Sequence, residues 1–338
     1  VDATSGTINA RIELCPTAVG SAADPRNKRG TRGLALNSGS ALYALNRLAN
    51  TISIVALADY TVAKEIPIGS YDPTTPTIRQ GRGFLYDAKL SGNGTVSCAS
   101  CHIDAEMDLL AWDLGDPTGQ MVTNQMSLGL LTGPETFHPM KGPLTTQTLR
   151  GLNGMDPLHW RGDRTNLTHF NGAFDSLLGG SALSAADMDA YRDFINSIVF
   201  EPNPNQNLDR TLPTRFAGGN PVAGRSNYIN TVYTPSTVFP GGLKCNSCHL
   251  LPTGSDLKIN PDQVLPGSQG FKVPHLRAIY QKTGLNRTKG SQASGTKSIG
   301  GFGLQHDGKF EGLFAFLSQP VFDSFANNGT IKSNLQAF

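Results

Sequence analysis

The chain has 338 residues, which is enough for two or three domains and excludes a single small module. Charged residues make up only 16%, while Gly (38) and Pro (21) are frequent, so a large part of the chain should form loops. The 28 basic and 26 acidic residues are interspersed and give a formal charge of +2, which does not indicate a nucleic-acid partner. Apolar runs stay shorter than the roughly 18 residues of a membrane span, so we expect no span.

Residues 1–75 are predicted to form a small β segment. Four short runs rich in apolar and β-branched residues, at 33–36, 41–46, 51–57 and 62–67, are separated by turn residues. They predict a four-stranded antiparallel sheet of the size of one propeller blade. Because an isolated sheet has open edges that invite strand addition, we expect it to be covered by the rest of the chain or by another subunit.

The rest of the chain is predicted to form two helical domains of similar plan. In the first, residues 76–200, an amphipathic helix covers 77–89, and a capping box at 184–187 starts a closing helix. A polar linker with a Pro-rich start covers 201–223. The second domain, 224–338, has a lead-in at 226–232 and a closing helix at 310–317. The sequence thus predicts a mainly α fold, preceded by the β segment.

Four of the five cysteines form two copies of one motif, C-x-x-C-H. The copies are Cys98-Ala99-Ser100-Cys101-His102 and Cys245-Asn246-Ser247-Cys248-His249. This spacing is typical of c-type haem attachment, in which both thiols form thioethers with the porphyrin and the adjacent His binds iron. A zinc ribbon keeps its cysteine pairs within roughly 15–20 residues, whereas these motifs start 147 residues apart, at positions 98 and 245. A thioredoxin-like pair is disfavoured because neither motif follows a strand and precedes a helix, and a His follows both.

Two covalently bound haem c groups are therefore the predicted cofactors, one in each of two tandem cytochrome c-like domains. Haem is attached by thioethers outside the cytoplasm, which predicts an exported protein in the periplasm or extracellular space. The chain begins at Val1, and we expect that a secretory signal was removed or that the chain was trimmed from a longer precursor. Redox proteins are the expected partners.

The second axial ligand of each iron decides what a haem can do, since Met raises its potential, a second His lowers it, and an open position permits substrate chemistry. All six Met residues lie at or before position 188, so the second domain has none. There His306, in a Gly-rich loop, is preferred over His275. In the first domain His159 is preferred, 57 residues after His102 as His306 is after His249. The other candidates in the first domain are His138, His169, Met140 and Met155.

Several short segments resemble the bacterial di-haem cytochrome c peroxidase superfamily over roughly residues 76–320. They are Thr148-Leu149-Arg150-Gly151-Leu152 with His159-Trp160-Arg161-Gly162-Asp163, and Val273-Pro274-His275-Leu276-Arg277 with His306-Asp307-Gly308. The segment 32–55 resembles a YVTN-type propeller repeat, as in family members fused to such repeats. The resemblance implies two tandem, mainly helical cytochrome c domains, often with calcium between them. Arg150 and Arg277 follow Leu in matching loops and are expected to bind haem propionates.

Three functional hypotheses follow. In the preferred one, both haems have two His ligands and the protein carries electrons. In the second, one iron is open to hydrogen peroxide, and an acid such as Asp104, Glu106 or Glu135 assists O–O cleavage; the lack of Met in the second domain departs from the peroxidases of the family. In the third, which is compatible with the first, the β segment joins copies of the chain into a homo-oligomer or filament.

Overall fold

The structure, a computed structural model, describes residues 1–15, 28–124, 135–234, 241–260, 269–282, 303–310, 312–322, 325 and 327–338. Helix accounts for 28% and strand for 17%, so the fold is mixed. Helix exceeds strand, but the predicted mainly α class is not confirmed. The abundant Gly and Pro explain this difference, since both disfavour continuous helix. The chain divides into two compact units. Unit 1 is Val1–Ala105, Leu149–Asn153 and Leu167–Ile198, and unit 2 is Glu106–Thr148, Gly154–Asn166 and Val199–Phe338.

Unit 1 begins with the predicted antiparallel sheet. Its strands are β1 (Thr31–Asn37), β2 (Ala41–Asn46), β3 (Thr51–Ala56) and β4 (Thr61–Pro67), paired in the order β1-β2-β3-β4. Each strand lies within a residue or two of the predicted run because turn residues separate them. The buried Asn46 amide donates to Ser53 Oγ (2.7 Å) and Thr51 Oγ1 (3.0 Å) and accepts from Thr31 Oγ1 (3.1 Å), so it links three strands.

Two crossing helices form the core of unit 1. They are α1 (Pro76–Tyr86), which has the N-cap Thr75, and α3 (Ala185–Ser197), which has the predicted N-cap Ser184; the short α2 (Gly172–Ser176) lies between them in the chain. A side chain on Gly81 of α1 would place its Cβ 2.0 Å from the Ala190 carbonyl oxygen of α3. Only Gly permits this close approach. Tyr191 packs edge-on against Phe84 and Phe174, whose ring centroids are 6.3 and 6.1 Å away.

Unit 2 contains the second crossing of this kind. Its α4 (Pro221–Asn230) contacts α7 (Gly329–Ala337), and a Cβ on Gly224 would lie 1.9 Å from the Asn334 carbonyl oxygen. The helix that closes this part of the chain is therefore α7, because the predicted closing helix at 310–317 is only the short α6 (Leu313–Phe316). The remaining elements are α5 (Cys245–Cys248) and the short strands β5 (Ala111–Trp112), β6 (Val122–Asn124), β7 (Glu135–Phe137), β8 (Leu144–Thr145), β9 (Ile259–Asn260) and β10 (Phe271–Lys272).

The core of unit 2 is aromatic and borders the second C-x-x-C-H motif. Partly buried Cys245 and Leu276 pack against it. Its buried members are Tyr228, Tyr233, Leu243, Leu317, Phe322, Phe325 and Leu335.

Candidate haem-binding sites

The two C-x-x-C-H motifs fold in the same way. In each, the amide of the His donates to the carbonyl oxygen of the first Cys at 2.9 Å. The Ser before the second Cys accepts from the amide that precedes the motif, at 3.0 Å in Ser100 and 3.1 Å in Ser247. This single tight turn places two thiols and an imidazole on a short stretch of backbone. Both motifs therefore share one local geometry.

The second motif borders a cavity of about 700 Å³ that lies within unit 2. The volume falls in the range of cofactor pockets. Cys245, Cys248 and His249 line it, as do the predicted Arg277 and His306. Residues from three separate segments of the sequence, the motif, Arg277 and His306, therefore line one cavity.

The thiols of this motif are largely buried. Burial raises the pKa of Cys245 and of Cys248 to about 11. A thioether bond to a porphyrin needs no persistent charge on sulfur, so the neutral state of these thiols is compatible with covalent haem attachment.

His249 has the geometry of an iron ligand. Its Nδ1 lies 2.9 Å from the Gly254 carbonyl oxygen and 3.1 Å from that of Pro274. Because both partners only accept, Nδ1 carries the proton and the lone pair is on Nε2, the nitrogen that binds iron. Burial lowers the pKa of His249, which keeps the ring neutral. The Tyr228 hydroxyl donates to the His249 carbonyl oxygen and holds the backbone of the residue.

Positive charge surrounds this cavity. Burial lowers the pKa of Lys272 and of Lys282 to about 8, and the lining contains neither Asp nor Glu among the residues that the structure describes. A haem carries two propionates, so an anionic group of this kind fits a basic lining. The five basic residues that line the cavity are Arg210, Arg225, Lys272, Arg277 and Lys282.

Two further histidines line the same cavity. The His306 ring stacks on Phe271 with centroids 4.0 Å apart, and its backbone carbonyl accepts from the Thr145 amide at 2.7 Å. His275 lies edge-on to Phe200, and its buried Nδ1 has no hydrogen-bond partner among the described residues. Burial lowers the pKa of His275 to about 3, and the nearby Lys282 and other cations add to this shift. Both residues are neutral, as axial ligands must be.

The first motif, Cys98, Cys101 and His102, lies in unit 1 next to α3. The Cys98 thiol is hydrogen-bonded to the Tyr191 hydroxyl, although burial raises the pKa of Cys98 overall. The predicted Arg150 is in the same unit, and its Nη2 donates to the Asp104 carbonyl oxygen at 3.3 Å. Arg150 therefore contacts the loop directly after the motif.

The Asp104 carboxylate is hydrogen-bonded to two arginines, Arg32 in β1 and Arg47 directly after β2. Arg32 donates from Nη1 and Nη2 to its two carboxylate oxygens at 2.6 and 2.7 Å, and Arg47 Nη1 donates at 2.7 Å. The hydrogen bonds from Arg32 and Arg47 lower the pKa of Asp104 to about 2. An acid that gives up its proton this readily is deprotonated at neutral pH and cannot act as a proton donor there.

His159 belongs to unit 2 and has a carboxylate partner. Its Nδ1 lies 2.6 Å from Asp163 Oδ1, and burial lowers the pKa of His159 despite this contact. With the proton on Nδ1, the lone pair again lies on Nε2. His159 thus has the tautomer of an iron ligand.

Some functional side chains were not predicted from the sequence. Lys272, Lys282 and Tyr228 stand in no motif, and nothing in the local pattern distinguishes them from surface or core residues. Tyr191 lies in the predicted closing helix, and no motif marks it. Asp163 stands four residues after His159, and that i, i+4 spacing was the available signal for the contact.

The described residues show no helix long and apolar enough to cross a membrane. Within the same residues, no group of three or more His, Cys, Asp and Glu side chains is arranged to hold a metal ion. Calcium therefore stays a prediction from resemblance.

Comparison with known proteins gave one family and two structures. Residues 76–192 match the sequence model of the family described as di-haem cytochrome c peroxidase. A chain of hydrazine synthase from Kuenenia stuttgartiensis, in a crystal pressurised with xenon, aligns over 79% of this chain and 89% of its own, with a TM-score of 0.50 and 18% identity. A MauG-like protein associated with microbial copper homeostasis aligns over 62% and 69%, with a TM-score of 0.36 and 18% identity. No curated protein sequence matches the chain.

Together with the site, the family match supports a class of protein: a c-type cytochrome with haem c as cofactor and redox activity. The hydrazine synthase chain shows a similar fold. The match covers the first motif, and the cavity is the structural evidence for the second. The fusion to YVTN propeller repeats is not shown by these comparisons.

Proposed function

We propose that this chain is an exported cytochrome that transfers electrons through two haem c groups, each held by two histidines. Cys98, Cys101, Cys245 and Cys248 attach the haems, His249 and His306 are the two ligands of the iron at the second motif, and His102 and His159 are the other two proposed iron ligands. The observation that carries the proposal is the cavity in unit 2, which His306 lines together with Cys245, Cys248 and His249.

The position of His275 favours His306 as the second ligand of that iron. The Pro274 carbonyl oxygen accepts from Nδ1 of His249, so Pro274 lies at the edge of the ring opposite Nε2, the nitrogen that would bind iron. His275 directly follows Pro274 in the chain, so its backbone starts at that edge of the ring. His306 comes from a different segment, whose backbone is hydrogen-bonded to Thr145.

Bound haem supplies a one-electron Fe(III)/Fe(II) couple. The chain supports this couple by holding neutral imidazoles in fixed tautomers and by excluding water with the aromatic core beside the motif. Arg277 and the other basic side chains of the lining compensate the propionates, and Arg150 is proposed to do so at the first motif. Two His ligands on each iron would leave no coordination position for a substrate, which suits electron transfer.

The peroxidase alternative is supported by the family match, but it requires a protonated carboxyl group beside an open iron. Asp104 is held as a carboxylate by two arginines, and the cavity of unit 2 has no Asp or Glu in its described lining. Glu106 lies in unit 2 near Lys282, and the Glu135 side chain lies outside the described residues. Among the described residues, no carboxyl group lines this cavity directly, so none is in place there for general-acid assistance of O–O cleavage.

The absorption and EPR spectra of the haem-loaded protein test the proposal. We expect two low-spin bis-His signals, no high-spin ferric signal, and no reaction of the half-reduced protein with hydrogen peroxide. His306→Ala and His159→Ala should each convert one signal to high spin, whereas His138→Ala, which removes an exposed ring, should leave both signals unchanged. A high-spin signal in the unmodified protein, or loss of a signal in His275→Ala rather than His306→Ala, contradicts the assignment.

Assembly through the sheet is a further part of the proposal. Strand β1 is an edge strand, and its Leu34 and Leu36 are 67% and 70% exposed. Such an edge can pair with a strand of a second copy. Size-exclusion chromatography checks this, since a monodisperse 36.0 kDa species excludes a homo-oligomer.

A further inference from the structure

The proposed coordination gives His275 no role at the iron. The His275 ring nevertheless lines the cavity of unit 2, and its buried Nδ1 has no hydrogen-bond partner among the described residues. A buried polar atom without a partner is costly, and native proteins rarely keep one unless a bound group or water satisfies it. The unpaired nitrogen of His275 therefore points to a group that binds in this cavity.

His275 and Arg277 are directed towards the same part of unit 2. The His275 ring lies edge-on to Phe200, with ring centroids 5.6 Å apart, and the Arg277 guanidinium carbon lies over the same ring, 5.0 Å from its centroid. Leu276, between them in the chain, packs against the aromatic core instead. An imidazole and a guanidinium thus contact one phenyl ring, and both line the cavity.

The charge around His275 is positive. Burial is the main cause that lowers the pKa of His275 to about 3, and the charges of Lys282, Arg277 and Lys272 act in the same direction. All three cations line the cavity together with His275. The ring is therefore neutral and stands among cations.

The acids near these lysines lie outside the described lining of the cavity. Glu106 favours the charged form of Lys282 and Asp156 favours that of Lys272, but neither acid lines the part of the cavity that the structure describes. A carboxylate that enters the cavity would therefore meet three cations and one neutral N–H donor. Carboxylates accept from imidazole N–H groups and pair with guanidinium groups, and the two propionates of a haem are carboxylates.

We infer that His275 donates a hydrogen bond from Nδ1 to a propionate of the haem attached at the second motif, next to the Arg277 guanidinium. The inference rests on the proposed function, in which this haem occupies the cavity of unit 2. A neutral imidazole has one N–H, and a carboxylate acceptor selects the tautomer with the proton on Nδ1. His275 thereby binds the periphery of the haem, whereas His249 and His306 bind its iron.

Resonance Raman spectra of the haem-loaded protein test the inference, because the bending modes of a haem propionate respond to its hydrogen bonds. His275→Phe keeps an aromatic ring next to Phe200 but removes both nitrogens, and His275→Asn keeps an N–H donor at the position of Nδ1. We expect His275→Phe to shift the propionate bending band of one haem, and His275→Asn to return that band towards its original position. His138→Phe, which changes an exposed ring, should leave the band unchanged.

A measurement on the unmodified protein does not depend on how the variants fold. In the ferrous state, NMR of protein with isotope-labelled histidine should show an Nδ1–H proton of His275 that exchanges slowly with water, and its proximity to the Phe200 ring assigns it. Spectra recorded with and without added inorganic phosphate should be the same, since the acceptor is part of the haem.

The outcomes separate the hydrogen bond from the proposed coordination. An unshifted band in His275→Phe, a shift that His275→Asn does not reverse, or an Nδ1 without a proton overturns the inference. A signal that changes with added phosphate would mean that a free anion is the partner and would also overturn it. The proposed function fails in a different way: haem content would stay unchanged when Cys245 and Cys248 are replaced by Ala, or His275→Phe would produce a high-spin signal.

Discussion

The crossing of α4 and α7 at Gly224 should not tolerate a methyl group. In Gly224→Ala the new Cβ would start 1.9 Å from the Asn334 carbonyl oxygen and 2.8 Å from Phe338 Cβ. The helices would have to separate by 1.1 Å to bring the first contact from 1.9 Å to 3.0 Å, below which real Cβ atoms are essentially never found. Overpacking of this kind costs about 1–3 kcal/mol, and a rigid backbone neighbour places the cost at the upper end. Replacing Gly by Ala within a helix also stabilises the helix by about 1 kcal/mol, which offsets part of this cost.

The net expectation is a loss of about 2 kcal/mol, or roughly 4–8 °C in Tm for a unit of this size. Thermal unfolding of the haem-loaded protein, followed by circular dichroism, measures it. Gly329→Ala in α7 is the matched control, because nothing lies within 4 Å of its Cβ, and its Tm should not fall. Since Tyr228 in α4 holds the His249 carbonyl, the Soret spectrum of Gly224→Ala should shift as well. Unchanged or increased stability of Gly224→Ala would refute this account of the crossing.

Three further expectations follow from the same kind of argument. Gly81→Ala should destabilise by a similar amount, since its Cβ would lie 2.0 Å from the Ala190 carbonyl oxygen; a denaturation midpoint equal to that of the parent protein would speak against it. Tyr228→Phe should cost about 1–3 kcal/mol in chemical denaturation because it leaves the His249 carbonyl without its donor, and a neutral result would show that this bond contributes nothing. Burial lowers the pKa of Lys272 and of Lys282 to about 8, so in the folded protein their charged forms cost stability below pH 8. The free energy of unfolding should therefore rise between pH 8 and about 10.5, the pKa of these lysines in the unfolded chain. That rise should be smaller in Lys272→Met, and an identical pH profile would contradict it.

Sequence patterns predicted the parts of this molecule that depend on local chemistry. The four strands of the sheet were predicted because turn residues separate short β-branched runs, and Ser184 marks the start of α3 because its side chain caps the helix. The C-x-x-C-H spacing likewise defines a tight turn that both motifs adopt. In these cases the residues that cause the structure are neighbours in the chain.

The rest depends on contacts between distant residues. Arg210, Arg225, Lys272, Arg277 and Lys282 surround one cavity, yet no window of sequence contains all five. The sequence predicted the closing helix at 310–317, whereas the helix that packs on α4 is α7. A helical pattern at 310–317 does not show which helix contacts Gly224. The contact partners of His159 and His306 differ for the same reason: Phe271, which stacks on His306, lies in strand β10, 35 positions earlier in the chain.

The attachment of the sheet to the first motif can be measured directly. Arg32 and Arg47 both bind the Asp104 carboxylate, two residues after His102, and Asp104 has a left-handed backbone with φ 52°. The side chains of Arg32 and Asp104 are 52% and 40% exposed, so solvent weakens the attraction, and a double-mutant cycle of Arg32→Ala with Asp104→Asn should give only a weak coupling. Asn is chosen because it tolerates the left-handed conformation. The coupling should shrink when salt is raised towards 1 M, where charges are screened within about 3 Å. A coupling that does not depend on salt would mean that shape rather than charge joins the sheet to this loop.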